Sequence, residues 1–305
     1  MSADGVERSD ARAQTPPSPG TSSDSPAHVL LARAMAVLAH VEGPSRLDAE
    51  VLLAHVLQRS RTHLHAWPEA PVASDKARAY RALVARRAGG EPIAHLTGAR
   101  EFWSLTLEIT RDTLIPRPET ERLVEVALEH IAPDADFAVA DLGTGSGAVA
   151  AAIASERRAC RVVATDISSA ALAVAARNLE RLALGNVALR HGDWCTALGG
   201  DRFAVIVSNP PYVARDDVHL ARGDVRFEPR EALVAGAGGL DAIRRIAAQA
   251  RAHLEPGGVL ALEHGYDQGS AVRAILARHG YRDVESYRDY AGHERVVTCV
   301  WDCPL

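Results

Sequence analysis

Asp141-Leu142-Gly143-Thr144-Gly145-Ser146-Gly147 is the stretch that decides the fold. It closes an apolar run over 137–142 and opens an alanine-rich segment, 148–156, with helical character. Strand, glycine loop and helix in that order are the first unit of an open α/β sheet, and glycines let main-chain N–H groups approach a ligand with no Cβ between. Asp166 ends the next apolar run, 19 residues beyond Gly147, where a carboxylate can accept from ribose hydroxyls. Gly143-x-Gly145-x-x-Ala148 also satisfies the dinucleotide fingerprint, so the loop alone leaves three readings: a nicotinamide cofactor, another adenosyl cofactor, or a plain turn.

Downstream the alternation continues. Strands are predicted over 137–142, 161–166, 187–191, 203–208, 257–263, 281–287 and 295–301, with helices such as 148–156 and 169–184 between them. That pattern gives an α/β fold, a mostly parallel sheet with helices on both faces. Ligands of such sheets lie beyond the carboxyl ends of the strands. After 187–191 come Gly192-Asp193-Trp194, where Asp193 can accept from an adenine amine and Trp194 can cover a ring face. A surface turn with a packed Trp is the simpler alternative.

After 203–208 comes Asn209-Pro210-Pro211-Tyr212. Pro210 holds Asn209 extended, and two consecutive prolines leave the loop few conformations. The Asn209 side-chain oxygen and the Pro210 carbonyl can each accept one N–H of a planar –NH2 group. Such a nitrogen delocalises its lone pair and is a poor nucleophile; two fixed acceptors orient it and stabilise the positive charge it develops during alkylation. Tyr212 can lie against the planar group. In isolation Asn-Pro-Pro also makes a simple turn.

The N-terminal third reads differently. Residues 1–26 are rich in Ser, Pro, Thr, Asp and Gly and are expected to form a disordered tail. Leu30, Ala34, Val37, Leu38 and Val41 recur at helical spacing, as do Leu52, Leu53, Val56 and Leu57; a third helix starts near Ser74, buries Tyr80, Leu83 and Val84, and stops at Gly89-Gly90. Residues 27–95 thus form a small helical domain. Phe102, Leu105, Leu107 and Ile109, between Gly98 and Pro116, mark a hairpin linker over 96–115. The main domain is 116–305.

With 47% hydrophobic and 24% charged residues the chain has globular composition. No run is long enough to span a membrane and no secretory h-region opens the sequence, so a cytoplasmic protein is expected. By count, residues 1–26 carry charge −2, 27–100 carry +4 and 101–305 carry −7, which sum to the net −5. This argues against a dedicated nucleic-acid binder. Cys160, Cys195, Cys299 and Cys303 form no Cys-x-x-Cys pair, and the 13 histidines form no ligand cluster, so no metal is expected. Cys195 reads as a buried thiol. Glu42, Asp48 and Glu50 read as a solvated face.

Asp-x-Gly-x-Gly-x-Gly combined with Asn-Pro-Pro-Tyr resembles class I methyltransferases that act on amide or exocyclic nitrogens. Four further stretches narrow the resemblance: 114–121 (Leu-Ile-Pro-Arg-Pro-Glu-Thr-Glu), 223–233, 263–268 and 289–296. With the helical head, they are similar over about 28–301 to the bacterial release factor glutamine methyltransferases. That resemblance implies a Rossmann-like, seven-stranded domain, a substrate-recognition role for 27–95, S-adenosyl-L-methionine as methyl donor and S-adenosyl-L-homocysteine as product. It implies as acceptor the side-chain amide of glutamine in the Gly-Gly-Gln motif of class I peptide chain release factors. Cofactor contacts are expected from Asp141, Gly143, Thr144, Gly145, Ser146, Gly147, Asp166, Asp193, Trp194 and Asn209. Asn209, Pro210, Pro211 and Tyr212 are expected to bind the substrate, with Asn209 and Pro210 catalytic. Arg117, Glu119 and Glu228 are more simply scaffold. A monomer is expected. A ribosomal-protein glutamine methyltransferase and a DNA or RNA base methyltransferase share the tetrapeptide; a nicotinamide dehydrogenase or non-catalytic cofactor sensor leaves it unexplained.

Overall fold

The computed structural model describes residues 25–302. The expectation of a disordered tail falls outside these, apart from Ser25 and Pro26, which pair antiparallel with Val72 and Pro71. The chain divides between Thr97 and Gly98 into two compact units.

The first unit is helical: α1 (Ala27–Leu38), α2 (Ser45–Leu57), α3 (Arg61–Ala66), α4 (Ser74–Ala88) and α5 (Ile93–Thr97). Leu30, Ala34 and Leu38 of α1 pack against Leu52, Leu53 and Val56 of α2 and Tyr80 and Val84 of α4. Val37, expected on the buried stripe, is 47% exposed, because α1 turns its Leu30–Ala34–Leu38 row inward instead. The expected solvated face needs a larger correction. Glu42 is exposed, but Asp48 and Glu50 are only 8% and 3% exposed. Arginines reach them: Arg87 Nε donates to Asp48 at 2.7 Å, and Glu50 accepts from Arg46 at 2.9 Å and Arg61 at 2.7 Å. Carboxylates so paired can be buried, and removing one partner would leave a costly lone charge.

The second unit opens with a hairpin, β1 (Ala99–Phe102) and β2 (Leu105–Glu108), followed by α6 (Glu121–Glu129). The hairpin, expected to link two domains, is built into this unit: Arg181 donates to the Thr106 carbonyl and the Trp103 indole N–H to Glu156. Then come β3 (Ala138–Leu142), α7 (Ala148–Glu156), β4 (Arg161–Asp166), α8 (Ser169–Arg181), β5 (Val187–His191), β6 (Phe203–Ser208), α9 (Asp241–Ala250), β7 (Leu254–Glu263), α10 (Gly269–Arg278), β8 (Arg282–Arg288) and β9 (Glu294–Trp301). Every strand anticipated in the sequence is present. β7 begins a few residues early, because Phe203 already pairs with Leu254.

The seven strands lie in the order β8-β9-β7-β6-β3-β4-β5. β5, β4, β3, β6 and β7 run parallel; β9 and β8 pair antiparallel at one side. Ala138, Ala140 and Leu142 of β3 share one apolar cluster with Ile206, Leu260, Val297 and the inner faces of α9 and α10. Asp141 lies on the alternate face, where it accepts the Ala150 N–H of α7. Strand order reverses between β3 and β6, so the crevice lies between the loop after Leu142 and the loop after Ser208. Those loops carry the two motifs read from the sequence.

Candidate active site

Gly143 and Gly145 adopt left-handed φ of 73° and 55°. The Gly143 and Thr144 N–H groups donate to the Thr165 carbonyl at 2.9 and 2.8 Å, tying the glycine loop to the end of β4. The reason for glycine at 143 is a side chain: a Cβ there would stand 2.9 Å from Cζ3 of Trp194. Trp194, itself at φ 49°, lies against the loop backbone.

Asp166 is held on both oxygens, Oδ2 by the Gly145 N–H at 2.8 Å and Oδ1 by the Ser168 N–H at 2.9 Å. Each carboxylate oxygen keeps further acceptor capacity. Asp141 works beneath the loop. Its Oδ2 accepts from the Thr144 hydroxyl at 2.6 Å and the Ala150 N–H at 3.2 Å, satisfying a donor in the first turn of α7. Burial pushes its carboxyl up to about 7 against those two hydrogen bonds.

Two cavities meet here. The larger, about 520 Å³, is lined by Gly143, Gly145, Asp166, Ile167, Asp193, Trp194, Asn209 and Pro211, among others. The smaller, about 160 Å³, is lined by Arg117, Asn209, Pro210, Pro211, Tyr212 and His219, among others. Leu114, Asn209, Pro211 and Ala232 line both. Of the expected cofactor residues, Gly143, Gly145, Asp166, Asp193, Trp194 and Asn209 reach the larger cavity. Asp141, Thr144, Ser146 and Gly147 are absent from its lining. They shape the loop from below: Asp141, Thr144 and Ser146 are buried, and a Cβ on Gly147 would press Ala175 of α8 at 3.2 Å.

The tetrapeptide is braced from behind. The Asn209 Nδ2 donates to Thr120 Oγ1 at 3.0 Å. Among the described residues, neither Asn209 Oδ1 nor the Pro210 carbonyl accepts a hydrogen bond. Tyr212, expected to bind the substrate, lines the small cavity, and its hydroxyl donates to Glu263 Oε1 at 3.1 Å. Burial and the Glu263 charge raise the pKa of that phenol. The Tyr212 carbonyl accepts from Gln268 at 2.9 Å, and Val213 then exchanges hydrogen bonds with Leu233 and Ala235 at 2.9 and 3.0 Å.

Arg117 and Glu228 form an ion pair, and the Ile115 N–H also donates to Glu228 at 3.3 Å. Glu228 is thus the scaffold expected, its pKa raised by burial although Arg117 opposes the shift. Arg117 additionally lines the small cavity. Cys195 is buried, as expected, and burial pushes its thiol up to about 12. No cluster of metal-ligating side chains occurs among the described residues. Sequence reasoning missed Ile167, Arg245 and Thr113 in the larger wall, and the ion pair of Arg245 with Asp193. Only Ile167, beside Asp166, carried any signal.

The sheet order and the paired cavities at its carboxyl end define a class I methyltransferase. Residues 30–98 match the model for the PrmC N-terminal domain and residues 121–227 that for the methyltransferase small domain. The release factor glutamine methyltransferase of Escherichia coli (strain K12) is 50% identical over 267 residues, 88% of this chain and 96% of the relative. That of Burkholderia pseudomallei (strain K96243) is 56% identical over 255 residues, covering 82% and 90%. The chain belongs to the release factor glutamine methyltransferase family. A solved methyltransferase from Pyrococcus furiosus, 21% identical with a TM-score of 0.50, covers 72% of this chain and 98% of its own and shares the fold.

Proposed function

We propose that this chain transfers a methyl group from S-adenosylmethionine to the side-chain amide nitrogen of the glutamine in the Gly-Gly-Gln motif of class I peptide chain release factors. The observation that carries the reading is the shared wall: Asn209 and Pro211 face a cavity sized for a cofactor and a smaller one sized for a single side chain. The residues present fit an adenosyl cofactor. Asp166 is a rigid acceptor for ribose hydroxyls, Ile167 and Trp194 offer apolar surface, and Asp193 an acceptor for an exocyclic amine.

Bound there, S-adenosylmethionine supplies an electrophilic methyl group. The protein's part is to hold the acceptor. Asn209 Oδ1 and the Pro210 carbonyl take one N–H each, which orients the nitrogen and stabilises charge developing on it. The surplus proton leaves to solvent after transfer, so the arrangement requires no strong base. Pro211 and Leu114 keep the wall apolar.

Residues 27–95 are assigned to recognition of the release factor, and the working unit to a monomer. The test uses purified protein, labelled S-adenosylmethionine and unmodified release factor, with the labelled peptide mapped by mass spectrometry. Label on the Gly-Gly-Gln peptide is expected. Label on nucleic acid or a ribosomal protein, with none on that peptide, overturns the assignment.

A further inference from the structure

Arg117 stands between two prolines. Pro118 disfavours helical backbone at the residue before it, and Arg117 is accordingly extended, with φ −93° and ψ 144°. The segment around it is tied down on both sides. The Ile115 N–H donates to Glu228 at 3.3 Å, and Thr120 Oγ1 accepts from Asn209 Nδ2 at 3.0 Å. Arg117 is thereby held close to the tetrapeptide, and it lines the smaller cavity with Asn209, Pro210 and Tyr212.

Four side chains in that lining carry N–H or O–H donors: Arg117, Asn209, Tyr212 and His219. Asn209 Nδ2 is turned to Thr120, and the Tyr212 hydroxyl to Glu263. His219 is paired with Asp217, and its side chain is 73% exposed. Arg117 is different. Its Nη2 donates to Glu228, whose side chain is fully buried, while its own side chain is 28% exposed. Among the described residues, its Nε and Nη1 donate to no protein acceptor. A guanidinium has five N–H groups, so most of its donors are unspent. Stability alone does not explain the pair, because well-packed apolar residues often replace a buried ion pair at no cost.

A peptide that pushes one glutamine into this cavity brings carbonyl oxygens with it, on the side chain and on the main chain. Each loses water and needs a donor. The two kinds are not equivalent for methyl transfer. A cation on the side-chain oxygen would draw the nitrogen lone pair further into the amide, stabilising the ground state more than the transition state. On a main-chain carbonyl it holds the peptide equally in both states. The Glu228 carboxylate then offsets the Arg117 charge near a nitrogen that itself becomes positive.

We propose that Arg117 binds the acceptor peptide: with one donor spent on Glu228, its free N–H groups hydrogen-bond a main-chain carbonyl of the loop that delivers the glutamine. The proposal rests on the functional reading above and adds the group that recognises the loop's backbone.

Arg117→Met alone would leave Glu228 a lone buried charge, so the experiment pairs it with Glu228→Gln, which still accepts the Ile115 N–H. The measurement is the Kd of unmodified release factor for the chain loaded with S-adenosylhomocysteine. In the double variant this Kd should rise about ten- to a hundredfold. KM should rise in step, with kcat within about threefold of the parent's. The Kd for S-adenosylhomocysteine and the melting temperature should stay near the parent's. Glu228→Gln alone keeps the Arg117 donors and should bind release factor within about threefold of the parent. A parent-like Kd in the folded double variant overturns the proposal. So does an equal loss in Glu228→Gln alone, or a joint fall in melting temperature and both affinities, which a scaffold would give.

A release factor with alanine in place of that glutamine locates the contact. The double variant should lose the same factor against it, because the main-chain carbonyl is still there. A penalty that disappears with the glutamine side chain puts Arg117 on the side-chain amide and overturns the main-chain assignment. A parent chain that neither binds nor labels release factor takes down the functional reading, and this proposal with it. A parent that labels the Gly-Gly-Gln peptide beside a double variant that binds as tightly overturns this proposal alone.

Discussion

Asn178 and Glu108 exchange a pair of hydrogen bonds across 70 residues of sequence: the Glu108 N–H donates to Asn178 Oδ1 at 2.6 Å, and Asn178 Nδ2 donates back to the Glu108 carbonyl at 3.0 Å. The same Nδ2 reaches the Ser146 carbonyl of the glycine loop at 2.9 Å. One buried amide therefore ties hairpin β1–β2, helix α8 and the glycine loop together. Asn178→Ala strands backbone groups that water reaches poorly and should cost about 2–3 kcal/mol. Urea unfolding measures this, and calorimetry should show weaker binding of S-adenosylhomocysteine as the loop loosens. Unchanged stability would mean the hairpin is held by other contacts.

Asn209→Ala removes the proposed acceptor and leaves the fold standing, since Asn209 contributes a single side-chain hydrogen bond, to Thr120. Turnover should fall by about a hundred- to a thousandfold. Circular dichroism should be that of the parent, and cofactor affinity should fall far less than turnover, Asn209 being one of several residues that line the larger cavity. Near-normal turnover would mean that the tetrapeptide is not the clamp.

Asp166→Ala deletes the carboxylate that holds Gly145 and Ser168. The Kd for S-adenosylmethionine should rise at least about tenfold, equivalent to about 1.4 kcal/mol. At saturating cofactor, kcat should recover most of its value. An unchanged Kd contradicts the ribose assignment.

Gly143→Ala places a Cβ 2.9 Å from the Trp194 ring, at a φ of +73° that alanine resists. Trp194 must move, and with it one wall of the larger cavity. Weaker cofactor binding with little change in kcat is expected from titration and saturation kinetics. Parent-like affinity would place the indole outside cofactor recognition.

Burial raises the Asp141 carboxyl from 3.8 to about 7, against hydrogen bonds from Thr144 and Ala150. Between those values the folded chain keeps a proton that the unfolded chain releases. Its contribution to stability is therefore full below about pH 4 and declines as pH rises through about 7. Asp141→Asn can still accept from both donors and cannot ionise. Its urea midpoint should fall less with pH over that window than the parent's, with remaining slope from the other carboxyls that burial raises, Glu263 (to about 7) and Glu228. Parallel curves for the two proteins would rule out this account of Asp141.

The inner strands β3, β4, β6 and β7 were legible because strands buried on both faces read as short continuous apolar runs. Helices α3 and α5 were not, being too short to show a period. The glycine loop and tetrapeptide were legible because backbone conformation is written in residue type: glycine for left-handed φ, proline for an extended predecessor. What stayed hidden depends on contacts between distant segments. Asp48 and Glu50 look solvated in sequence, and only the folded chain brings Arg87 and Arg61 to them. Thr120 lay inside a quoted motif, yet nothing linear connects it to Asn209. Arg245, on an amphipathic helix, looks like any other solvated charge.

The partition between the two cavities separates two kinds of genetic change. Substitutions at Arg117, Val213, His219, Leu220 or Val225 reach only the smaller chamber, so under the proposed function acceptor choice can be retuned there while the larger chamber is untouched. Substitutions at Leu114, Asn209, Pro211 or Ala232 alter both chambers at once. An engineer seeking a new acceptor would vary the first group and leave the second alone.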